Sequence, residues 1–140
     1  AAAYAHRGHK VLVVSDRVTF LKNCAQLAGE SAICVTGDVP HEERDDMLNK
    51  IRSGSKNILF GTQAIFSEGI SVDTLSCLIL GTPINNDPLL TQLIGRVIRE
   101  YKDKKQPKVV DIHLKGNTAR RQASNRIGYY MRQGYNIRQL

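Results

Sequence analysis

Residues 11–35, which read VLVVSDRVTFLKNCAQLAGESAICV, hold the pattern that decides the fold. Residues 11–14 are a short continuous apolar run, which is typical of a strand buried on both faces of a sheet. Apolar residues then recur at helical spacing from Val18 onward, and Gly29 ends that helix. Residues 32–35 form a second apolar run. The stretch therefore predicts a strand, a helix and a second, parallel strand.

The same alternation continues along the rest of the chain. Further strands are predicted at 57–60, 77–80 and 109–112. Further helices are predicted at 40–53, from 87 onward, and from 117 or 118 to 133, with Asp87 and Pro88 as the opening pair of the second of these. This order predicts an α/β domain of three layers with a mainly parallel central sheet.

Composition limits the classes of protein that the chain can belong to. Its 140 residues suit one domain, and 41% hydrophobic with 24% charged residues indicates a globular chain. Twenty Lys and Arg against 13 Asp and Glu give a net charge of +7, which favours a polyanionic partner.

Several classes lack their sequence signature. No apolar run is long enough for a membrane helix, and residues 1–10 have no apolar core of a signal peptide, so no membrane partner is predicted. The three cysteines and four histidines show no metal-ligand spacing, so no metal site is predicted and a reducing compartment fits. P-loop, dinucleotide-binding and hydrolase-elbow motifs are absent from the sequence.

The loops after the first four predicted strands carry small polar residues. They are residues 15–17, 36–38, 61–63 and 81–83. In open parallel sheets, ligands bind beyond the carboxyl ends of the strands, so these loops are the candidate site. The alternative, that their side chains only cap the following helices, stays open.

The helix from residue 87, DPLLTQLIGRVIR, has two distinct flanks. Its apolar face holds Leu90, Leu93, Ile94, Val97 and Ile98, and the opposite flank holds Gln92, Arg96 and Arg99 with Gly95 beside them. Two guanidinium groups one turn apart suit a multiply charged anion such as a phosphate chain. Gly95 is unfavourable within a helix, so we expect another group to approach the backbone closely there. The alternative is a solvated face that happens to hold two arginines.

Residues 92–99, QLIGRVIR, resemble motif VI, Q-x-x-G-R-x-x-R, of superfamily 2 helicases. Residues 62–70, TQAIFSEGI, resemble motif V, and residues 11–17 resemble motif IV. Residues 36–62 are similar to the run between motifs IV and V. The resemblance covers residues 10–115 in the right order and is nearest to phage and repair-type DNA helicases of the UvsW and XPB branch.

The resemblance implies that residues 10–140 are the C-terminal RecA-like lobe of a two-lobed motor, with a basic C-terminal helix. ATP with Mg²⁺ would be held mainly by a missing N-terminal RecA-like lobe, and Arg96 and Arg99 would act as catalytic arginine fingers. The nucleotide-binding residues implied are Gln92, Glu68, Gly69, Ser71 and Asp73. Two positions depart from the family pattern: Ser71 stands where many relatives have an acid, and Leu93 stands where several have Arg.

The resemblance also implies a nucleic-acid partner. Ser15, Arg17, Gly37 and Thr62 match the positions that contact the sugar–phosphate backbone, which suits hydroxyls and backbone N–H groups. The partner is predicted to be DNA, with RNA left open, in DNA repair and DNA recombination. The implied location is intracellular, cytoplasmic or nucleoid-associated, including a phage-encoded protein in its host cell. The 140 residues alone are expected to be inactive as an ATPase.

Residues 115–140 carry six Lys and Arg, no Asp or Glu, and three tyrosines at 129, 130 and 135. Basic groups interleaved with aromatic rings suit a nucleic-acid groove with stacking platforms. The alternative is a helix that packs Ile127, Tyr130 and Met131 on the sheet and exposes its arginines.

Two other functions and the nature of the N-terminus stay open. The chain could be a non-catalytic nucleic-acid-binding module with a RecA-like fold, or a small-molecule α/β enzyme, which only the fold class favours. The sequence does not begin with Met, so residues 1–9 are interpreted as a linker or the end of a preceding segment of a longer protein. An expression scar is the alternative interpretation.

Overall fold

The structure, a computed structural model, describes residues 5, 8–37, 39–63, 65, 75–81, 87–97, 107–112 and 115–137, and only the backbone at positions 41, 96 and 97. Strands β1 to β5 are Val11–Val14, Ala32–Val35, Ile58–Gly61, Cys77–Leu80 and Lys108–Asp111. Helices α1 to α4 are Val18–Ala28, His41–Ser53, Asp87–Val97 and Asn117–Arg132, and Gly29–Ser31 is a 3₁₀ turn. The predicted alternation of strands and helices is confirmed.

The described strands form one parallel sheet in the order β2-β3-β1-β4-β5. Val14 pairs with Gly61 on one side and with Leu80 on the other, and Leu80 pairs with Asp111. The carboxyl ends of the strands are therefore flush, and the loops that follow them meet at one edge of the sheet. This edge is called the carboxyl rim below.

Both faces of the sheet are covered by apolar side chains, which explains the uninterrupted apolar runs of the strands. Leu12 and Val14 of β1 belong to a cluster that includes residues of α2, α3 and α4. Val11 and Val13 point to the other face, where Leu21 of α1 is fully buried. The three predicted layers are thus confirmed, with β1 at the centre of the sheet.

Two strand boundaries differ from the prediction by one residue. β3 spans Ile58–Gly61 rather than 57–60, and β5 spans Lys108–Asp111 rather than 109–112. Helix α2 begins after Pro40 and ends at Ser53, where Gly54 adopts the left-handed conformation expected of a helix end. Helix α4 begins after Gly116, whose φ of 115° favours glycine, so neither Asn117 nor Thr118 is the cap.

Candidate functional site

The carboxyl rim brings together the loops after β1, β3 and β4. The backbone N–H of Ser15 donates to the Gly61 carbonyl at 3.2 Å, and the Gly81 N–H donates to the Val14 carbonyl at 2.8 Å. These bonds extend the strand ladder by one residue at the rim. Ser15 and Gly81 are therefore held beside each other, next to the end of β3, where Thr62 follows. Three of the four loops predicted to form the site thus start at the same place on the sheet.

Ser15 and Arg17 have different places in the first loop. The Ser15 side chain is fully buried, and its hydroxyl accepts a hydrogen bond from the Arg17 backbone N–H at 3.2 Å. The Arg17 side chain is exposed. Ser15 therefore shapes the turn, while the charged side chain of Arg17 faces solvent.

A side-chain bond that the sequence did not suggest connects two of these loops. The Gln63 amide donates to the Asp16 carboxylate at 3.2 Å, across a separation of 47 residues. Thr62 is half-buried beside Gln63. The bond fixes the loop after β3 relative to the loop after β1, and both carry predicted nucleic-acid contacts.

The loop after β2 is held by a buried arginine. The Arg44 Nε donates to the Val39 carbonyl at 2.9 Å, and one terminal nitrogen donates to the Gly37 carbonyl at 3.3 Å. Arg44 lies in the first turn of α2 and is almost fully buried. Gly37 is exposed, and a Cβ built there would meet no atom within 4 Å. Arg44 therefore holds the loop after β2 in a conformation that leaves the backbone of Gly37 exposed to solvent at the rim.

Helix α3 confirms part of the predicted division of its flanks. Leu90, Leu93 and Ile94 are buried, whereas Gln92 is exposed. The backbone at position 96 is helical, so position 96 lies about 40° around the helix from Gln92 and one turn along it.

Gly95 is half-buried and lies beside the exposed Gln92 flank of α3. A Cβ at Gly95 would meet no atom within 4 Å. Any group that approaches this backbone closely must therefore come from outside the described residues. The side chain of Arg96, the whole of Arg99, and the predicted nucleotide contacts Glu68, Gly69, Ser71 and Asp73 lie outside the described residues.

Helix α4 corrects the interpretation of its tyrosines as stacking platforms. Tyr129 and Tyr130 are buried in the core and meet edge to face at 5.9 Å between ring centroids, so neither ring is available to a base. Tyr135 is half-buried and packs against the same core. Met131, expected to pack on the sheet, is exposed instead. The aromatic residues of the tail are therefore structural.

One of the basic residues of the tail is also internal. The Arg126 Nε donates to the Asp111 carboxylate at 2.7 Å, and the Tyr130 hydroxyl donates to the same oxygen at 2.7 Å. Burial and the hydrogen bond to Asp111 raise the pKa of Tyr130 well above its usual range. Lys115, Arg120 and Arg121 are exposed. The basic surface of α4 is therefore smaller than the charge count indicated.

Helix α4 also contacts α3 beside the flank that carries Gln92. The hydroxyls of Thr91 and Tyr129 share a hydrogen bond, and Arg132 lies 3.7 Å from Asp87 in an exposed ion pair. Successive turns of α3 thus meet successive turns of α4 in the opposite direction, so the two helices run antiparallel here. Thr91 lies about 100° around α3 from Gln92 and about 40° from Gly95, so α4 borders that flank on the side of Gly95.

Two kinds of site are absent from the described residues. No three His, Cys, Asp or Glu side chains within them lie close enough together to hold a metal ion. None of the helices in the described part of the chain has the length and apolarity needed to cross a bilayer.

The sequence matches one protein family over most of its length. Residues 2–100 match the model of the helicase conserved C-terminal domain. The chain belongs to this family. The match confirms the C-terminal lobe of a superfamily 2 helicase that the motifs at 11–17, 62–70 and 92–99 implied.

Phage helicases are among the relatives of this helicase domain. The chain is 41% identical over 138 residues to "Probable helicase D10" of Escherichia phage T5, covering 96% of the chain and 31% of the relative. It is 32% identical over 78 residues to "ATP-dependent DNA helicase uvsW" of Enterobacteria phage T4, covering 56% of the chain and 16% of the relative. The chain thus spans a third or less of the length of these relatives.

Solved structures share the fold of this helicase domain. The crystal structure of T4 UvsW superimposes with a TM-score of 0.73 at 22% identity, over 94% of this chain and 30% of that one. The C-terminal part of the Fun30 ATPase domain superimposes with a TM-score of 0.71 at 14% identity, over 86% of this chain and 40% of that one. The RecA-like fold predicted from the motifs is confirmed.

Proposed function

We propose that this chain is the second motor lobe of an ATP-dependent DNA helicase or translocase. In this proposal Arg96 and Arg99 serve as arginine fingers for ATP, which is held with Mg²⁺ mainly by an N-terminal RecA-like lobe. The observation that carries the proposal is the exposed flank of α3, where Gln92 precedes position 96 by one turn and Gly95 leaves open space. The family membership and the two phage relatives support it.

The residues of this flank fit a nucleoside triphosphate. The Gln92 amide can donate to or accept from a nucleotide, and guanidinium groups match the oxygens of phosphates in a fixed fork. Gly95 allows a second protein surface to come close to the α3 backbone. Bound Mg²⁺ would neutralise charge on the phosphates. The residues of this chain would add positive charge where it develops in the transition state, and Glu68, Gly69, Ser71 and Asp73 would border the nucleotide.

The carboxyl rim is the proposed contact with the DNA backbone. Arg17 supplies charge, while Gly37 and Thr62 supply backbone N–H and hydroxyl donors, which suit phosphates without reading sequence. Ser15 acts indirectly, since its hydroxyl holds the turn at Arg17. The Gln63–Asp16 bond and Arg44 keep the loops in place.

Arginine substitutions in the intact protein test the finger role. Arg96→Ala and Arg99→Ala are each expected to lower the kcat of ATP hydrolysis by about 10³-fold or more, the contribution of such a residue in other nucleotide hydrolases. Arg120→Ala, an exposed arginine on α4, is the matched control and should leave kcat unchanged. If all three variants lose the same small amount of activity, the finger role is refuted and a non-catalytic nucleic-acid-binding module becomes the better description.

A salt titration tests the nucleic-acid contact at the rim. Binding of single-stranded DNA to the intact protein should weaken linearly in log–log form as salt rises, and Arg17→Ala should reduce the slope by about 0.7. An unchanged slope in Arg17→Ala would remove this residue from the interface.

A further inference from the structure

An exposed aromatic ring lies at the carboxyl rim, and the motifs give it no function. Phe20 is in the first turn of α1, and 43% of its surface is exposed. Its Cε1 atom lies 3.4 Å from the point that a Cβ of Gly81 would occupy, and the Ser15 Cβ lies 3.5 Å from the same point. The ring therefore sits over the ends of β1 and β4, beside the loop that carries Arg17.

The core does not account for the exposure of this ring. Helix α1 packs on the sheet through Leu21, which is fully buried, and through Cys24, Ala25 and Ala28. Phe20 belongs to neither of the apolar clusters formed by the described residues. The Cε1 edge of the ring lies near Gly81, while much of the side chain faces solvent.

The charges around Phe20 favour a nucleic-acid strand as the occupant. The exposed Arg17 is the residue that precedes α1, three positions before Phe20, and the Gln63 amide holds the Asp16 carboxylate towards the loop after β3. A cation beside an aromatic ring suits both parts of a nucleotide, the phosphate and the base. Stacking needs no particular base, since every base has a π-face.

We propose that Phe20 is a stacking platform for one base of a single strand whose backbone passes Arg17. The inference rests on the proposed function, because it requires nucleic acid at the carboxyl rim. It adds a base contact to a rim that otherwise offers only phosphate contacts. The ring holds the base by its face, and its Cε1 edge lies close to Gly81.

The test uses the intact protein and single-stranded DNA that contains 2-aminopurine, whose fluorescence reports stacking. Phe20→Ala should weaken binding by about 5- to 160-fold, the contribution of one stacked base. Phe20→Trp should retain most of the affinity, because it restores an aromatic ring. Leu27→Ala is the matched control: Leu27 lies two turns further along α1 on the same flank, is 87% exposed and is far from the rim.

A strand with abasic sites separates stacking from a structural role of the ring. Wild-type protein should bind the abasic strand as weakly as Phe20→Ala binds the normal strand, and Phe20→Ala should not distinguish the two strands. The 2-aminopurine signal should change on binding to the wild type and to Phe20→Trp, and not to Phe20→Ala.

Two outcomes would overturn the inference alone, and a third would overturn the proposed function as well. If Phe20→Ala binds as the wild type does while Arg17→Ala binds weakly, the stacking role is wrong and the proposed nucleic-acid rim stands. If Phe20→Ala lowers DNA-free ATP hydrolysis with unchanged affinity for DNA, the ring packs against another part of the motor. If the wild type itself binds no nucleic acid, the proposed function fails together with the inference.

Discussion

The buried ion pair between α4 and β5 yields a sharp prediction about stability. The side chains of Arg126 and Asp111 are only 3% and 8% exposed, and 2.7 Å separates the Arg126 Nε from the carboxylate oxygen. At an effective dielectric constant near 20, the gross attraction at this distance is about 6 kcal/mol. Desolvation of both charges offsets much of it, so the intact pair contributes little net stability.

Removing one partner has a much larger effect than the pair's net contribution. Arg126→Met keeps most of the side-chain volume but leaves the Asp111 carboxylate buried without its cation. Its other oxygen, Oδ1, has no hydrogen-bond partner among the described residues and cannot compensate. We therefore expect Arg126→Met to lower the free energy of unfolding by about 3–5 kcal/mol. This is a large part of the about 5–15 kcal/mol typical of a domain.

Urea unfolding followed by circular dichroism measures this effect. The double variant Arg126→Met/Asp111→Asn should lose clearly less than the sum of the two single variants, because neither charge is then left alone. Arg121→Met, an exposed position on the same helix, is the control and should change stability by less than about 0.5 kcal/mol. A loss below about 1 kcal/mol in Arg126→Met, or strict additivity in the double variant, would refute the reasoning.

Three further predictions follow from other positions. Gly95→Ala should raise the free energy of unfolding in urea by up to about 1 kcal/mol, because a Cβ there meets no atom within 4 Å. The same variant should slow ATP hydrolysis by the intact protein if a second lobe packs on this flank. Burial raises the pKa of Cys77 from 9.0 to about 11. Its protonated thiol therefore adds stability that is complete below pH 9 and is lost as pH rises towards 11. The free energy of unfolding of Cys77→Ala, measured against pH, should decline less over that window than that of the wild type. Arg44→Met should cost about 1–3 kcal/mol of stability and weaken single-strand binding, measured by fluorescence anisotropy, because the Gly37 and Val39 carbonyls lose their donor; unchanged binding would separate this loop from the interface.

The arrangement of secondary structure could be predicted from periodicity because burial imposes it. Residues 11–14 are apolar throughout since β1 is central and covered on both faces. The 3.6-residue period separated buried Leu93 from exposed Gln92 on α3. The strand order has no comparable local signal, because it depends on where each crossover returns to the sheet.

The tail and the rim show where sequence reasoning failed. A charge count treats Arg126 as surface charge, whereas its partner Asp111 is 15 residues away on another element. The available signal was spacing: Ala123, Arg126 and Tyr130 recur at 3 and 4 residues, which places the arginine within the buried stripe of α4. Phe20 was missed for a different reason: it belongs to no motif, and its place at the rim depends on how β4 and Gly81 pack beside the start of α1.

The double attachment of α4 bears on how the domain can move. One end of its buried surface is bonded to the last residue of β5 through Asp111, and the neighbouring turns are bonded to α3 through Tyr129 and Arg132. A displacement of α3 along its axis would have to break its contacts with α4, unless α4 and the edge of the sheet moved with it. We therefore expect α3, α4 and the β5 edge of the sheet to shift together when α3 is displaced.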